Sequence, residues 1–184
     1  FWTLLGITSW AFTGWLPSFL GESFHLAQGK AGMMATGFMS FGTLTGMIVA
    51  GAWADRWSRS NVEGRAWVGI IGLSICIPCV LVVANATVLP LAICALVLFG
   101  LTRAFPDTNM MPILFGIVDA RYRATAYGML NAFSTMAGGT VIYVGGVLRD
   151  AHVSVTTIFY AGACGLFICA FLLWLIRPRS PILN

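Results

Sequence analysis

The sequence predicts an all-α membrane protein with six transmembrane helices. Of its 184 residues 59% are hydrophobic and only 9% are charged, whereas a soluble domain carries roughly a quarter charged residues. The apolar residues arrive in blocks of about 20, the length a helix needs to cross hydrocarbon. The alternating ten-residue segments of a membrane barrel are absent, so each block is read as a helix, which satisfies its backbone hydrogen bonds internally. The chain is treated as one six-helix bundle over 1–184, with spans at 1–20, 31–54, 66–84, 88–118, 124–148 and 155–176.

Span 1 (1–20) carries Trp2, Trp10, Thr13 and Trp15, with Pro17 near its end. In span 2 (31–54), Gly42, Gly46, Ala50 and Ala54 recur every fourth residue and lay a flat stripe against which another helix can approach closely. Span 3 (66–84) holds Cys76-Ile77-Pro78-Cys79. All five cysteines, including Cys94, Cys164 and Cys169, lie inside apolar runs. With no second pair and no His nearby, this C-x-x-C reads as two small buried thiols rather than a metal or redox site, and no metal or other cofactor is called for.

Span 4 (88–118) is the unusual one. It would be about 46 Å long as a straight helix, against a hydrocarbon core near 30 Å, and it contains Pro90, Pro106 and Pro112. It is expected to be tilted, kinked or broken near Pro106, the kind of break that faces protein or a water-filled cavity beside a transport site. Arg103 and Asp107 lie in this span four residues apart, on nearly the same face. An Arg at mid-bilayer costs about 2.5–3.5 kcal/mol on insertion scales, so the pair must meet an aqueous cavity or a polar partner and marks a substrate or ion path. The alternative is an ion pair that only locks helices together. Thr102 and Asn109 on span 4, Tyr127 and Asn131 on span 5, and Trp10 and Thr13 on span 1 are further polar candidates. Arg103, Asp107, Asn131, Asn109 and Trp10 form the candidate substrate site, Asn131 because an unpaired amide inside a membrane is costly. Span 5 (124–148) repeats the small-residue stripe with Ala124, Gly128 and Ala132, and span 6 (155–176) with Ala161, Gly165 and Cys169.

The connections decide orientation. Segments 55–65, 119–123 and 177–184 share one side if the spans alternate, and they hold Arg56, Arg59, Arg65, Arg121, Arg123, Arg177 and Arg179, against Lys30 and Arg149 on the other. By the positive-inside rule the Arg-rich side is cytoplasmic. The net charge of +4 is thus loop charge and not a nucleic-acid footprint. Because the chain opens at Phe1 within an apolar stretch, further sequence is expected before it, starting from the cytoplasmic side.

The segment Gly51-Ala52-Trp53-Ala54-Asp55-Arg56-Trp57-Ser58-Arg59-Ser60 resembles the loop signature Gly-x-x-x-Asp-Arg-x-Gly-Arg-basic of the major facilitator superfamily. Gly51, Asp55, Arg56 and Arg59 match, while Ser58 replaces the usual Gly and Ser60 the second basic residue. The run from Arg121 to Asn131 resembles the family's entry to its eleventh helix, and Trp15-Leu16-Pro17 the end of its seventh. The resemblance implies the C-terminal six-helix half of a twelve-helix transporter, arranged as two three-helix inverted repeats, with spans 1 and 4 lining a central cavity. It further implies alternating access, a gating role for Gly51, Asp55, Arg56 and Arg59, an N-terminal half of the same chain as partner, and residence in the bilayer, here taken as a bacterial inner membrane. Arg103 would attract an anionic group, such as a sugar acid or sugar phosphate, and Asp107 would carry a coupling proton in a symport cycle or hold Arg103 in place.

Two other classes are weighed. A rhomboid-type intramembrane protease needs a nucleophile and a base in reach, yet His25 and His152 both fall in outer loops and no Gly-x-Ser-x-Gly occurs. A small six-span channel or scaffold subunit leaves the cytoplasmic signature unexplained. The expected function is therefore transport and not catalysis.

Overall fold

The computed structural model describes residues 1–61 and 63–176; the predicted cytoplasmic Arg177 and Arg179 lie outside them. Six long helices follow one another: α1 (Trp2–Ser23), α2 (Gln28–Ser58), α3 (Gly64–Ala84), α4 (Leu89–Ile117), α5 (Arg123–Asp150) and α6 (Val155–Ile176), with one short 3-10 turn, Ala120–Tyr122, before α5. Span 6 has the predicted bounds. The others differ by a few residues, mostly by added turns: α2 continues through Asp55 to Ser58, since the Gly that would favour a stop is replaced by Ser58, whose hydroxyl donates back to the Asp55 carbonyl at 3.2 Å.

Four of these helices, α2, α3, α4 and α6, are long and apolar enough to cross a membrane by length and composition. The other two, α1 and α5, are 22 and 28 residues long and fall outside that group. Thr8, Ser9 and Thr13 on α1 and Asn131 and Ser134 on α5 dilute their hydropathy.

Contacts along each interface fix the directions. On α2 and α4, Gly42 meets Val97, Gly46 meets Leu101 and Gly51 meets Thr108, so these helices run parallel. On α1 and α5, Trp2 pairs with Asn131, Trp10 with Gly138, Trp15 with Gly145 and Glu22 with Arg149, again in parallel. Against α4, α3 runs antiparallel, from Gly72 at Thr102 to Arg65 at Asn109. The 59–63 and 118–122 connections therefore share one end of the bundle, as the alternating spans require.

The core is built where α1, α4 and α6 converge. Phe12 lies 4.6 Å from Phe99 and 4.7 Å from Phe159 between ring centres, and Phe19 lies 5.1 Å from Phe159, all in tilted contact. Leu5, Leu73, Leu96 and Leu166 close around them. Cys76, Cys79 and Cys169 are buried as small apolar side chains, and Cys94 and Cys164 face outward; all five are free thiols.

The predicted stripe on α2 is the helix contact: Gly42, Gly46, Ala50 and Ala54 are all buried, joined by Ala31 and Ala35. The predicted stripe on α5 is not. Ala124, Gly128 and Ala132 face outward, while Ser134, Gly138 and Gly145 are buried against α1. Trp10 and Trp15 are the reason, because their indoles lie directly on Gly138 and Gly145, where no Cβ would fit. On α6, Gly165 and Cys169 are buried and Ala161 is exposed.

Of the tilt, kink or break expected in α4 near Pro106, the break does not occur. The helix runs without interruption from Leu89 to Ile117, with Pro106 and Pro112 inside it and Pro90 in its first turn. A proline removes one helical hydrogen bond. The carbonyl left without its donor by Pro106 is that of Thr102, and it is packed against Gly72 of α3: a Cβ there would lie 2.5 Å from the Thr102 oxygen and 2.5 Å from Phe105 Cβ. Close packing of α3 keeps α4 continuous at Pro106.

Candidate functional site

Arg103 lies in the middle of α4 and points between α1 and α2. Its Nε donates to Ser9 Oγ of α1 at 2.8 Å, and its Nη1 lies 2.6 Å from Asp107 Oδ1, one turn further along α4. The two groups thus form an ion pair along one face of α4. Both side chains are partly enclosed, with 15% of Arg103 and 33% of Asp107 exposed. They line a cavity of about 210 Å³ with Ser9, Thr13, Thr43 and Phe99. A delocalised guanidinium held on one edge by a hydroxyl, with donors left over and hydroxyls around it, is suited to receive the oxygens of a carboxylate or phosphate.

Asp107 also borders a second space of about 510 Å³, lined by Trp2, Met47, Thr108 and Tyr127. Tyr127 thus lines a space that Asp107 also borders, and Thr13 lines the cavity of the pair itself. The remaining predicted residues go elsewhere. Asn131 Oδ1 accepts from Trp2 Nε1 at 3.2 Å, tying α5 to α1. Trp10 packs on Gly138 and is 44% exposed. Thr102 is buried, its hydroxyl donating to the Leu98 carbonyl at 2.8 Å and lying 3.3 Å from Cys76 Sγ. Asn109, fully buried, faces away from the cavity: its Nδ2 donates to the Phe105 carbonyl at 2.9 Å, and its Oδ1 accepts from Arg65 Nη1 at 3.4 Å.

That last contact joins Asn109 to the signature segment. Arg65 Nη2 also donates to Asp55 Oδ1 at 2.5 Å, an ion pair linking the last turn of α2 to the first turn of α3. Arg65 therefore bridges α2, α3 and α4, whereas Arg56 and Arg59 are exposed. Gly51 lies next to Thr108 of α4. Arg65 falls outside the matched signature, and no spacing rule would have singled it out. Ser9 was equally hidden, a lone hydroxyl on an apolar span.

At the opposite end, Arg149 makes a two-pronged pair with Glu22 at 2.6 and 3.1 Å, over the ring of Trp15. The hydrogen bonds that Arg149 donates to Glu22 raise its guanidinium above its ordinary value. Arg123 closes the end of α4, donating to the Phe115 and Val118 carbonyls at 2.8 and 3.3 Å, a favourable place for a cation at a helix C-terminus.

The family model of the Major Facilitator Superfamily matches residues 3–184, which is nearly the whole chain. No individual curated protein matches it. An all-helical, multi-pass fold with apolar spans, a charged pair set into a cavity, and a family match of this extent agree with one another: the chain belongs to the major facilitator superfamily, a family of membrane transporters.

Proposed function

We propose that this chain is the C-terminal half of a secondary transporter that moves a small organic anion by alternating access, coupled to a proton, across a bacterial inner membrane. The observation that carries the reading is the Arg103–Asp107 pair in the cavity between α1, α2 and α4. A buried ion pair seldom adds net stability, so a charged pair facing a cavity is better explained by a charged ligand. Sugar acids and sugar phosphates have the required oxygens and are small enough for a midplane site.

Two features support the half-transporter reading. The larger interfaces map onto one another when α1, α2 and α3 are exchanged with α4, α5 and α6: α1–α5 becomes α4–α2, α1–α6 becomes α4–α3, and α3–α6 stays in place, whereas the α2–α3 contact has no counterpart of that extent between α5 and α6. This is the pattern that two three-helix repeats would give. In addition, α2 and α5 present large apolar side chains outward, among them Phe41, Leu44 and Ile48, and Met129, Phe133 and Met136, as faces meeting six further helices would. Asp55, held by Arg65, would then act with Arg56 and Arg59 in locking the cytoplasmic ends together.

The test measures yield, melting and uptake for Arg103 variants of the full-length protein reconstituted in vesicles. Arg103→Lys keeps the charge but loses the planar fork, and should weaken apparent affinity. Arg103→Ala should abolish uptake. If the pair only locks helices, Arg103→Leu combined with Asp107→Leu should restore folding and uptake together, and normal uptake by that double variant would sink the assignment of both residues.

A further inference from the structure

Both α5 and α6 pack on α1, yet they barely meet each other beyond the connection that joins them, whereas α2 and α3 do pack together beside α4. The gap between α5 and α6 is a cleft of about 240 Å³ floored by α1. Ala11 of α1, Gly145 of α5 and Gly162 and Gly165 of α6 are its buried surface, and Val144, Leu148 and Ala161 are its exposed rim. Among the described residues lining it, the polar side chains are Thr8 and Thr157, and both are bonded: the Thr8 hydroxyl donates to the Leu5 carbonyl at 3.0 Å, and the Thr157 hydroxyl lies 3.0 Å from Ser154 Oγ. Water entering such a cleft finds few partners, whereas a hydrocarbon chain needs none.

At the end of the bundle opposite the Arg-rich connections, this apolar cleft meets a polar one. Leu148 and Thr157 border the first, and their neighbours Arg149 and Thr156 border a cavity of about 290 Å³ with Glu22, Ser23, His152 and Ser154. Here one positive and one negative side chain stand together, with 31% of Arg149 and 58% of Glu22 exposed. The adjoining Asp150 is exposed as well, so the cluster carries no excess of positive charge. Arg149 gives two N–H groups to Glu22 and keeps further donors for a phosphate.

We propose that the two cavities together bind one phospholipid with a zwitterionic head group: an acyl chain lies on α1 between α5 and α6, the phosphate meets Arg149 and the ammonium meets Glu22. Charge complementarity selects the head group. A purely anionic lipid would satisfy Arg149 but be repelled by Glu22 and Asp150, whereas a phosphate carrying an ammonium answers both signs. Two other occupants fit poorly. A helix is about 10 Å across, too wide for a space of this volume. The face of α5 that presents Met129, Phe133 and Met136 lies about a quarter turn from Val144 and Leu148, so the cleft is turned away from the face assigned to the partner half.

The test counts lipids on purified full-length protein by native mass spectrometry, after delipidation and addition of dioleoylphosphatidylethanolamine or dioleoylphosphatidylglycerol. Wild type should retain one ethanolamine lipid in preference to the glycerol lipid. That lipid should be lost from Ala161→Phe, which closes the rim, and from Gly162→Leu, where a Cβ meets only the Thr8 carbonyl oxygen at 3.9 Å and the rest of the side chain fills the cleft. Cys164→Phe adds similar bulk at an exposed position on another side of α6 and should keep it. Glu22→Gln combined with Arg149→Gln should hold both lipids equally. Free phosphoethanolamine, a head group without a chain, should not compete. Equal lipid counts for wild type, Ala161→Phe and Cys164→Phe would overturn the proposal. So would a wild-type preference for the glycerol lipid, displacement by free phosphoethanolamine, or a dimer mass that Ala161→Phe abolishes, which would make the occupant a second copy of the chain. Should Gly162→Leu not fold, Ala161→Phe, on the exposed rim, decides alone.

Discussion

Gly46 is the tightest point of the α2–α4 crossing, and Gly46→Ala tests whether that crossing sets the geometry of the site. A Cβ at this position would stand 2.7 Å from Leu101 Cα and the Leu101 carbonyl carbon, and closer still to the carbonyl oxygen. Carbon atoms in contact prefer about 3.5–4.0 Å, so α2 and α4 must part by about 1 Å. Overpacking of this kind costs about 1–3 kcal/mol. Arg103 lies only two residues beyond Leu101, and its 2.8 Å bond to Ser9 would stretch past hydrogen-bonding range if α4 takes up the shift. A misplacement of about 1 Å can cost on the order of a hundredfold in rate. The control is Gly128→Ala, where nothing lies within 4 Å and the gain in helix propensity is up to about 1 kcal/mol. The two variants should differ by about 2–4 kcal/mol in chemical denaturation, and only Gly46→Ala should lose uptake in reconstituted vesicles. Equal stability and equal uptake for both would refute the argument that backbone contact at Gly46 positions Arg103.

Three further outcomes are expected. Arg65→Ala in the full-length protein should slow transport and shift the conformational balance inward about as much as Asp55→Asn, because it strips the Asp55 carboxylate and the buried Asn109 amide of one partner; Arg59→Ala, at an exposed position, should do less, and equal rates for all three would exclude gating by this cluster. Cysteines placed at Ser60 and Gln28, both exposed at opposite ends of the bundle, should be labelled only from the cytoplasm and only from outside, respectively, and labelling of both from one side would end the six-span topology. His152 follows α5 with φ 61, where the Val153 N–H closes on the Leu148 carbonyl at 2.9 Å. A left-handed residue of this kind is ordinarily Gly. His152→Gly should stabilise the protein by about 1 kcal/mol in thermal melting, and a loss of stability would mean that the imidazole makes contacts that outweigh its backbone strain.

The sequence by itself determined the class of this protein, its six helices and which connections share an end of the bundle, because these depend on composition, block length and the alternation of spans, which need no knowledge of neighbours. The pairing of Arg103 with Asp107 was legible for the same reason: a spacing of four places both on one helical face whatever surrounds them. The small-residue stripe on α2 is the buried face because the α4 backbone at Val97 and Leu101 lies directly against Gly42 and Gly46. On α5 a stripe of the same form turned outward, since the buried face is decided by two tryptophans of another helix. Partners distant in sequence were out of reach. Nothing local tells Ser9 that it will meet a guanidinium 94 positions away, or Arg65 that it will hold both Asp55 and an amide 44 positions on. Asn109 and Arg103 share a helix and a polar character, yet α3 claims one and the cavity the other. The survival of α4 through Pro106 was likewise a tertiary decision, because a proline weakens a helix by one hydrogen bond, and whether the helix then breaks depends on how closely a neighbour, here Gly72 of α3, packs against the carbonyl it leaves behind.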